Sequence, residues 1–300
     1  MYVVTGATGH TGNVVANALL IKGEKVRAVG RNAERLKRLV AAGAEPFTAD
    51  LTDAASTAKA FAGAKAVYIM IPPNVTAPDV PSYQKRVVDA IATAIRDSGV
   101  THVVTLSSVG ADRPEKTGPV VGLHYLEKTL NAIEGLNALH LRAGYFMENT
   151  LAQVGIIRTA GITVGPLRPD LKLPMIATPD IGEAAASALL NLDFCQKQTR
   201  ELLGERDVSY DEVAEIIGKA VGKPDLRYTQ APDQQVRSAM MQLGMSSNMA
   251  DLLLEMSAAL NSGYMRALEP RSAQNTTSTS YETFVNEEFI PLYEGKSAAA

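Results

Sequence analysis

Glycines at positions 6, 9 and 12 follow a short apolar run, Met1 to Val4, and precede Val14-Val15-Ala16-Asn17-Ala18-Leu19-Leu20. The run predicts a buried strand, and the later stretch predicts a helix closed by Gly23. Gly6 then allows a tight turn off the strand. Gly9 lets the backbone approach a pyrophosphate, and Gly12 lets helix and strand pack closely. The unsatisfied N–H groups at a helix start attract phosphate, which makes Gly6, Thr8, Gly9, His10, Thr11 and Gly12 candidate dinucleotide contacts. The spacing is G-x-x-G-x-x-G, in the strand–turn–helix setting that such a site requires.

Lys25 to Val29 predicts a second strand, ending at Gly30-Arg31-Asn32. A turn specific for NAD carries Asp or Glu near this point to hold the ribose 2′-hydroxyl. Here a small residue leaves room for a 2′-phosphate and a guanidinium can bind it, so NADPH is expected over NADH. The alternative is that Arg31 is a solvated loop residue beside the basic helix of Arg35, Lys37 and Arg38. After a third strand, Ala44 to Thr48, Asp50 and Leu51 are placed to meet an adenine edge. Asp50 or Thr52 can also cap the helix that follows.

The elements that position these groups alternate regularly. Ala66 to Ile71 is a near-continuous apolar run stopped by Pro72-Pro73, which predicts a central strand with Ile71 at its cofactor end. Further strands are predicted over Thr101–Leu106 and Ala138–Leu141, with helices over Ala33–Ala42, Ala54–Phe61, Tyr83–Ser98 and Val120–Ile133. The alternation implies an α/β fold, a doubly wound parallel sheet covered on both faces. The second half is less regular. Thr178 to Leu192 and Tyr210 to Val221 read as helices, Glu201-Leu202-Leu203 as a strand, and Thr279 to Tyr293 as a last helix. Pro232 to Leu268 is helical and rich in methionine (Met240, Met241, Met245, Met249 and Met256, with Met265 nearby), either as ordinary core or as the roof of a permissive pocket.

Composition narrows the function. The chain has 300 residues and a net charge of -3, with a sequence pI near 5.9, which argues against nucleic-acid binding. The single cysteine, Cys195, forbids an internal disulfide and fits a reducing compartment. No run reaches the ~18 apolar residues of a membrane span, and the first strand begins at Met1 with no room for a signal peptide. A cytoplasmic location without membrane contact is expected. No metal site is expected.

Thr5-Gly6-Ala7-Thr8-Gly9-His10-Thr11-Gly12, Gly30-Arg31, Asp50-Leu51, Leu106-Ser107-Ser108, Leu141 to Asn149 and the tail pattern Thr276 to Phe289 resemble the NmrA-like group of atypical short-chain dehydrogenase/reductases. The resemblance covers nearly the whole chain. It implies a Rossmann domain over 1–150, with 176–200 packing back on it. It also implies a smaller substrate domain from 151–175 and 201–295, and a tail over 296–300. Members of the group include quinone, azo-dye and triphenylmethane-dye reductases, and redox-sensing regulators with little activity.

A typical short-chain dehydrogenase uses Ser, Tyr and Lys, with Tyr-x-x-x-Lys on one helix face. The corresponding segment here is His124-Tyr125-Leu126-Glu127-Lys128. Lys128 has the matching spacing, but His124 stands where the tyrosine is expected and Tyr125 lies about 100° round the helix. The resemblance assigns Lys128 to the nicotinamide ribose. His124 is a candidate proton donor by its own chemistry, with Tyr125 as the alternative. The other reading makes His124 and Lys128 plain surface residues. Ser107 is assigned to the cofactor, and Ser108, Tyr145, Phe146 and Asn149 to the substrate. The expected activity is hydride transfer from NADPH to a small flat acceptor, aromatic or quinoid, by a monomer or homodimer. The competing expectation is an NADP(H)-binding redox-sensing regulator.

Overall fold

In the computed structural model, which describes residues 1–296, the first apolar run becomes β1 (Tyr2–Thr5) and the glycine turn opens α1 (His10–Ile21). Four residues of the tail expected over 296–300, namely 297–300, lie outside the described residues. The first half continues as β2 (Val26–Gly30), α2 (Lys37–Ala41), β3 (Glu45–Thr48), α3 (Ala54–Phe61) and β4 (Ala66–Ile69). It ends with α4 (Val80–Ser98), β5 (His102–Ser108), α5 (Val121–Asn131) and β6 (Asn137–Ala143). The second half holds β7 (Tyr145–Phe146), α6 (Val154–Ala160), β8 (Thr163–Gly165), β9 (Leu173–Ile176), α7 (Thr178–Asn191) and β10 (Lys197–Leu202). It closes with β11 (Asp207–Val208), α8 (Tyr210–Ala220), β12 (Tyr228–Gln230), α9 (Asp233–Gln242), α10 (Ser247–Asn261), α11 (Tyr281–Phe284) and α12 (Ile290–Tyr293).

Seven parallel strands form the main sheet in the order β10-β6-β5-β4-β1-β2-β3. This is a Rossmann-type doubly wound sheet. The chain runs outward from β1 to β3, then returns to place β4 on the other side of β1. The crevice at that reversal is where such sheets bind ligands. Each face has its own core. Phe61, Ile91 and Leu126 pack on one face and Leu19, Leu36 and Ile181 on the other. A third core, including Met175, Ile217, Tyr281 and Phe289, fills the second half.

Helix α7 lies against α1, where a Cβ on Gly182 would come within 2.6 Å of Val14. Strand β10 extends the main sheet by pairing with β6 and is longer than the Glu201–Leu203 strand expected. Tyr145–Phe146, placed by number in the first unit, instead pairs with β9 in a three-stranded sheet with β11.

Three helices differ from the sequence reading for identifiable reasons. The helix expected over Ala33–Ala42 starts as a 3₁₀ turn, Ala33–Leu36, capped by the Asn32 side chain. The segment Pro232–Leu268 breaks into α9 and α10 near Gly244, whose φ of +91° favours glycine. The last helix widens into a π-helical turn over Val285–Phe289 between α11 and α12. Pro291 lacks an N–H and its ring crowds the preceding turn, which the wider turn relieves.

Candidate active site

The glycine turn is braced from below. Thr5 Oγ1 donates to the Tyr68 carbonyl at 3.0 Å and accepts the Met70 N–H at 3.2 Å. The buried Tyr68 hydroxyl donates to Thr11 Oγ1 at 3.0 Å. The Thr11 side chain therefore faces the protein interior, so any phosphate contact it makes is through its backbone. Gly6 has φ +61°, and a Cβ on Gly12 would lie 2.3 Å from the Gly6 carbonyl oxygen. Gly9 differs: a Cβ there would meet only that same oxygen, at 3.3 Å. No side chain caps α1, and His10 is exposed beside its open end. A pyrophosphate fits an uncapped helix start under an open glycine.

On the far side of β1, Gly30 leaves space for Leu36 and the Thr8 methyl, 3.4 and 3.5 Å from where its Cβ would be. Arg31 is exposed and has no ion-pair partner among the described residues. It lies near Tyr83, as do Asp50 and Arg86, since all three charges act on that phenol. Asp50 Oδ1 accepts the Thr52 N–H and hydroxyl, both at 2.9 Å, and Leu51 is buried. The cap of α3 is neither Asp50 nor Thr52 but Asp53, which accepts from Ala55 and Ser56. Ile71, half-buried just beyond β4, packs on the core of the α3–α4 face.

A polar layer lies between α5 and the ends of β5 and β6. Ser107 and Arg142 are register partners, as are Thr105 and His140. Ser107 Oγ donates to Glu127 Oε1 at 2.6 Å, and Arg142 reaches both oxygens of the same carboxylate. Burial pushes the Glu127 carboxyl up, but the Arg142 and Ser107 hydrogen bonds outweigh it and hold the pKa below its usual value. The neighbouring His140 bonds Thr105 Oγ1 and Asn131 Oδ1 and is fully enclosed. Ser107 thus differs from the expectation: it is 2% exposed and its hydroxyl is committed to Glu127.

The same helix sends its other candidates elsewhere. His124 Nδ1 lies 2.9 Å from the Ala111 carbonyl. A carbonyl only accepts, so Nδ1 carries the hydrogen, and Nε2 of the neutral ring is an acceptor. Lys128 is exposed, with no hydrogen bond or ion pair among the described residues. Tyr125 turns toward α4, where its hydroxyl donates to Asp89 Oδ1 at 2.7 Å. Asn131, at the end of the same helix, bonds His140.

A cavity of about 440 Å³ opens beyond β5 and β6. Ser108, Val109, Ala143 and Gly144 form its edge at the strand ends, and Tyr145, Phe146 and Asn149 one wall. Leu171, Leu173 and Pro174, at and before the neighbouring strand β9, also line it, while Met256, Leu260 and Met265 come from α10 and its exit. His124 and Lys128 do not line this cavity. Of the methionines, only Met256 and Met265 do. Met249 is core and Met241 is 42% exposed. Its charged lining includes Lys172, paired with Glu212, Asp207, paired with Arg271, and the exposed Arg266.

Glu148 ties this wall to the rest of the site. Its Oε1 accepts the Thr178 N–H at 2.8 Å and hydroxyl at 2.6 Å, so the segment after β6 caps α7. Its Oε2 is buried without a partner, and burial raises its pKa against the Thr178 hydrogen bonds.

A family model described as the NmrA-like family matches residues 2–290. The chain belongs to the NmrA-like family. A relative in Xenophilus azovorans, an NAD(P)H azoreductase, is 28% identical over 267 residues, covering 88% of this chain and 89% of that one. Among solved structures, the Escherichia coli NADPH-dependent quinone oxidoreductase complexed with NADPH superposes with a TM-score of 0.80. It is 23% identical and covers 96% of this chain and 100% of that one. The Citrobacter sp. triphenylmethane reductase complexed with NADP(H) gives a TM-score of 0.76 at 20% identity, with 95% and 99% covered. No helix among the described residues is long and apolar enough to cross a membrane, and no cluster of candidate metal ligands occurs among them.

Two parts of this NmrA-like site were missed in the sequence. The part of the cavity lining from Leu171 to Pro174 and Leu260 carries no motif. The Glu127–Arg142 pair left a usable signal. Glu127 sits between Leu123 and Leu130 on the apolar stripe of α5, and Arg142 interrupts the apolar strand Leu139 to Ala143. Two opposite charges that both face a core imply a pair.

Proposed function

We propose that this chain is an NADPH-dependent reductase that passes hydride to a flat conjugated acceptor such as a quinone, an azo compound or a dye. The observation that carries the reading is a mostly apolar cavity set at the ends of β5 and β6, on the same edge of the sheet as the open glycine turn. The dinucleotide supplies the hydride, and the protein supplies binding and orientation. Gly6, Gly9, Gly12 and the backbone from Thr8 to Thr11 are assigned to its pyrophosphate. Arg31 is assigned to the 2′-phosphate, Asp50, Leu51 and Ile71 to the adenosine side, and Lys128 to the nicotinamide ribose. Ser108, Tyr145, Phe146 and Asn149 are assigned to the acceptor. His124 braces the loop after β5 through Ala111. The named reductases among the relatives support this assignment.

A redox-sensing regulator is the second reading. It is favoured by one observation: neither Tyr125 nor His124 of α5 reaches the cavity. Oxidation of NADPH with a panel of quinones, azo compounds and dyes separates the two. Turnover supports the reductase, and tight cofactor binding without turnover supports the regulator.

A further inference from the structure

Tyr145 lines the cavity, and its hydroxyl oxygen lies 3.1 Å from that of Tyr210. Tyr210 does not line the cavity. It is 6% exposed, with its ring edge-on to Tyr145 and tilted against Tyr228 at 4.6 Å between centroids. The Tyr228 hydroxyl is buried without a partner, so it does not serve Tyr210. Tyr145 is therefore the one hydrogen-bond partner of the Tyr210 hydroxyl among the described residues.

Each phenol has a single hydrogen to donate and can accept as well. An enclosed hydroxyl left with an unpaired hydrogen is costly. Both groups are best satisfied when Tyr210 donates to Tyr145, which leaves the O–H of Tyr145, a cavity-lining residue like Asn149, to donate to another acceptor. Burial raises the Tyr145 pKa, opposed by the hydrogen bond from Tyr210 and by the nearby Asn149 amide, so the phenol stays protonated through neutral pH.

We propose that Tyr145 donates a hydrogen bond to the oxygen anion that develops on a carbonyl-type acceptor, and that Tyr210 is the positioning residue that aims it. The proposal rests on the reductase reading above. A quinone that accepts hydride gains two electrons and one hydrogen, and its carbonyl oxygen becomes an oxyanion. A fixed donor in an apolar cavity stabilises that charge more than water does. No bond of Tyr145 breaks, and the product takes its second hydrogen from water. A cationic triarylmethane dye takes the same hydride and ends neutral, so it gains nothing from this donor. Tyr145 thus supplies on the cavity wall the hydroxyl that α5 lacks at position 124.

The test uses the full chain with Tyr145→Phe and Tyr210→Phe. Steady-state turnover with NADPH is measured on a naphthoquinone and on a triarylmethane dye. Binding of para-nitrophenolate, a stable oxyanion, is followed without cofactor by its absorbance. In Tyr145→Phe the quinone-to-dye ratio of kcat is expected to fall about 10²–10³-fold, the range for loss of one such donor. Para-nitrophenolate binding is expected to weaken by about tenfold or more. Tyr210→Phe is expected to lower the same ratio several-fold, through kcat rather than KM. Equal losses on both acceptors, or an unchanged ratio, overturn the proposal. If the wild type reduces neither acceptor, the reductase reading falls. The nitrophenolate titration then decides alone, and unchanged binding in Tyr145→Phe overturns the donor.

Discussion

Glu127 on α5 grips Arg142 on β6 with both carboxylate oxygens, 3.0 Å to Nε and 2.7 Å to Nη2. The two side chains are 6% and 14% exposed, so each charge depends on the other. The pair fixes how α5 is rotated against the sheet, and with it where His124 and Lys128 leave the helix. Removing one partner strands the other in a poorly solvated place. Glu127→Ala is expected to cost about 3–5 kcal/mol. The double variant Glu127→Leu, Arg142→Met is expected to recover most of that, leaving chiefly the Ser107 hydroxyl unpaired. Urea unfolding of the three proteins reads this directly. A double variant no more stable than Glu127→Ala contradicts the pairing argument.

His140, two register pairs further from the strand ends than Arg142, gives a pH dependence. Burial lowers its pKa from 6.5 to about 4, reinforced by Arg142 and Lys197 and opposed by Glu127. Above pH 6.5 the ring is neutral in both folded and unfolded chains. Between 6.5 and about 4 the unfolded chain binds the proton and the folded chain does not, so stability falls as pH drops. The loss from this group is up to roughly 3 kcal/mol and is complete below the folded value. His140→Gln is expected to flatten the pH dependence across that window. Unfolding midpoints at several pH values check it, and an unaltered slope in the variant excludes His140 as the source.

Two glycines three residues apart are expected to fail differently. The space at Gly9 is open toward the phosphate side, so Gly9→Val is expected to abolish dinucleotide binding while leaving the sheet folded. Gly12 meets the Gly6 carbonyl oxygen at 2.3 Å from an added Cβ, so Gly12→Ala is expected to destabilise the fold itself. Arg31→Ala belongs with Gly9: it is expected to weaken NADPH about ten- to a hundredfold, the loss of one charge-assisted hydrogen bond, and to leave NADH almost unchanged. Circular dichroism separates folding from binding, and fluorescence titration of both cofactors reads the binding. Full NADPH affinity in Gly9→Val contradicts the placement of the phosphates.

The centre of the sheet was legible because β1 and β4 are short apolar runs bounded by glycine, proline or polar turns, whereas the polar start of β10, Lys197 to Arg200, gave no such run. Tyr2 to Thr5 and Ala66 to Ile69 are buried throughout, as such runs imply. The glycine turn was legible because each of its residues answers a local steric demand. The cavity was not, because its walls come from β7, β9 and α10, and no spacing along the chain records that they meet. Ser107 was misread for a related reason. A serine at a strand end looks free until its register partner Arg142 and the facing Glu127 are known. The methionine-rich segment was legible as apolar helix but not in its division, in which Met256 reaches the cavity while α9 has no buried residue.

The central claim is that a reduced dinucleotide bound at the glycine turn delivers hydride to an acceptor held in the cavity beyond β5 and β6. The most direct measurement is the loss of NADPH absorbance when purified protein is mixed with a naphthoquinone, an azo dye or a triarylmethane dye, with product counted against cofactor. The account predicts catalytic turnover on at least one of them, one acceptor reduced per NADPH where hydride alone completes the reaction, and slower turnover with NADH. Tight NADPH binding with no oxidation by any of these acceptors contradicts it.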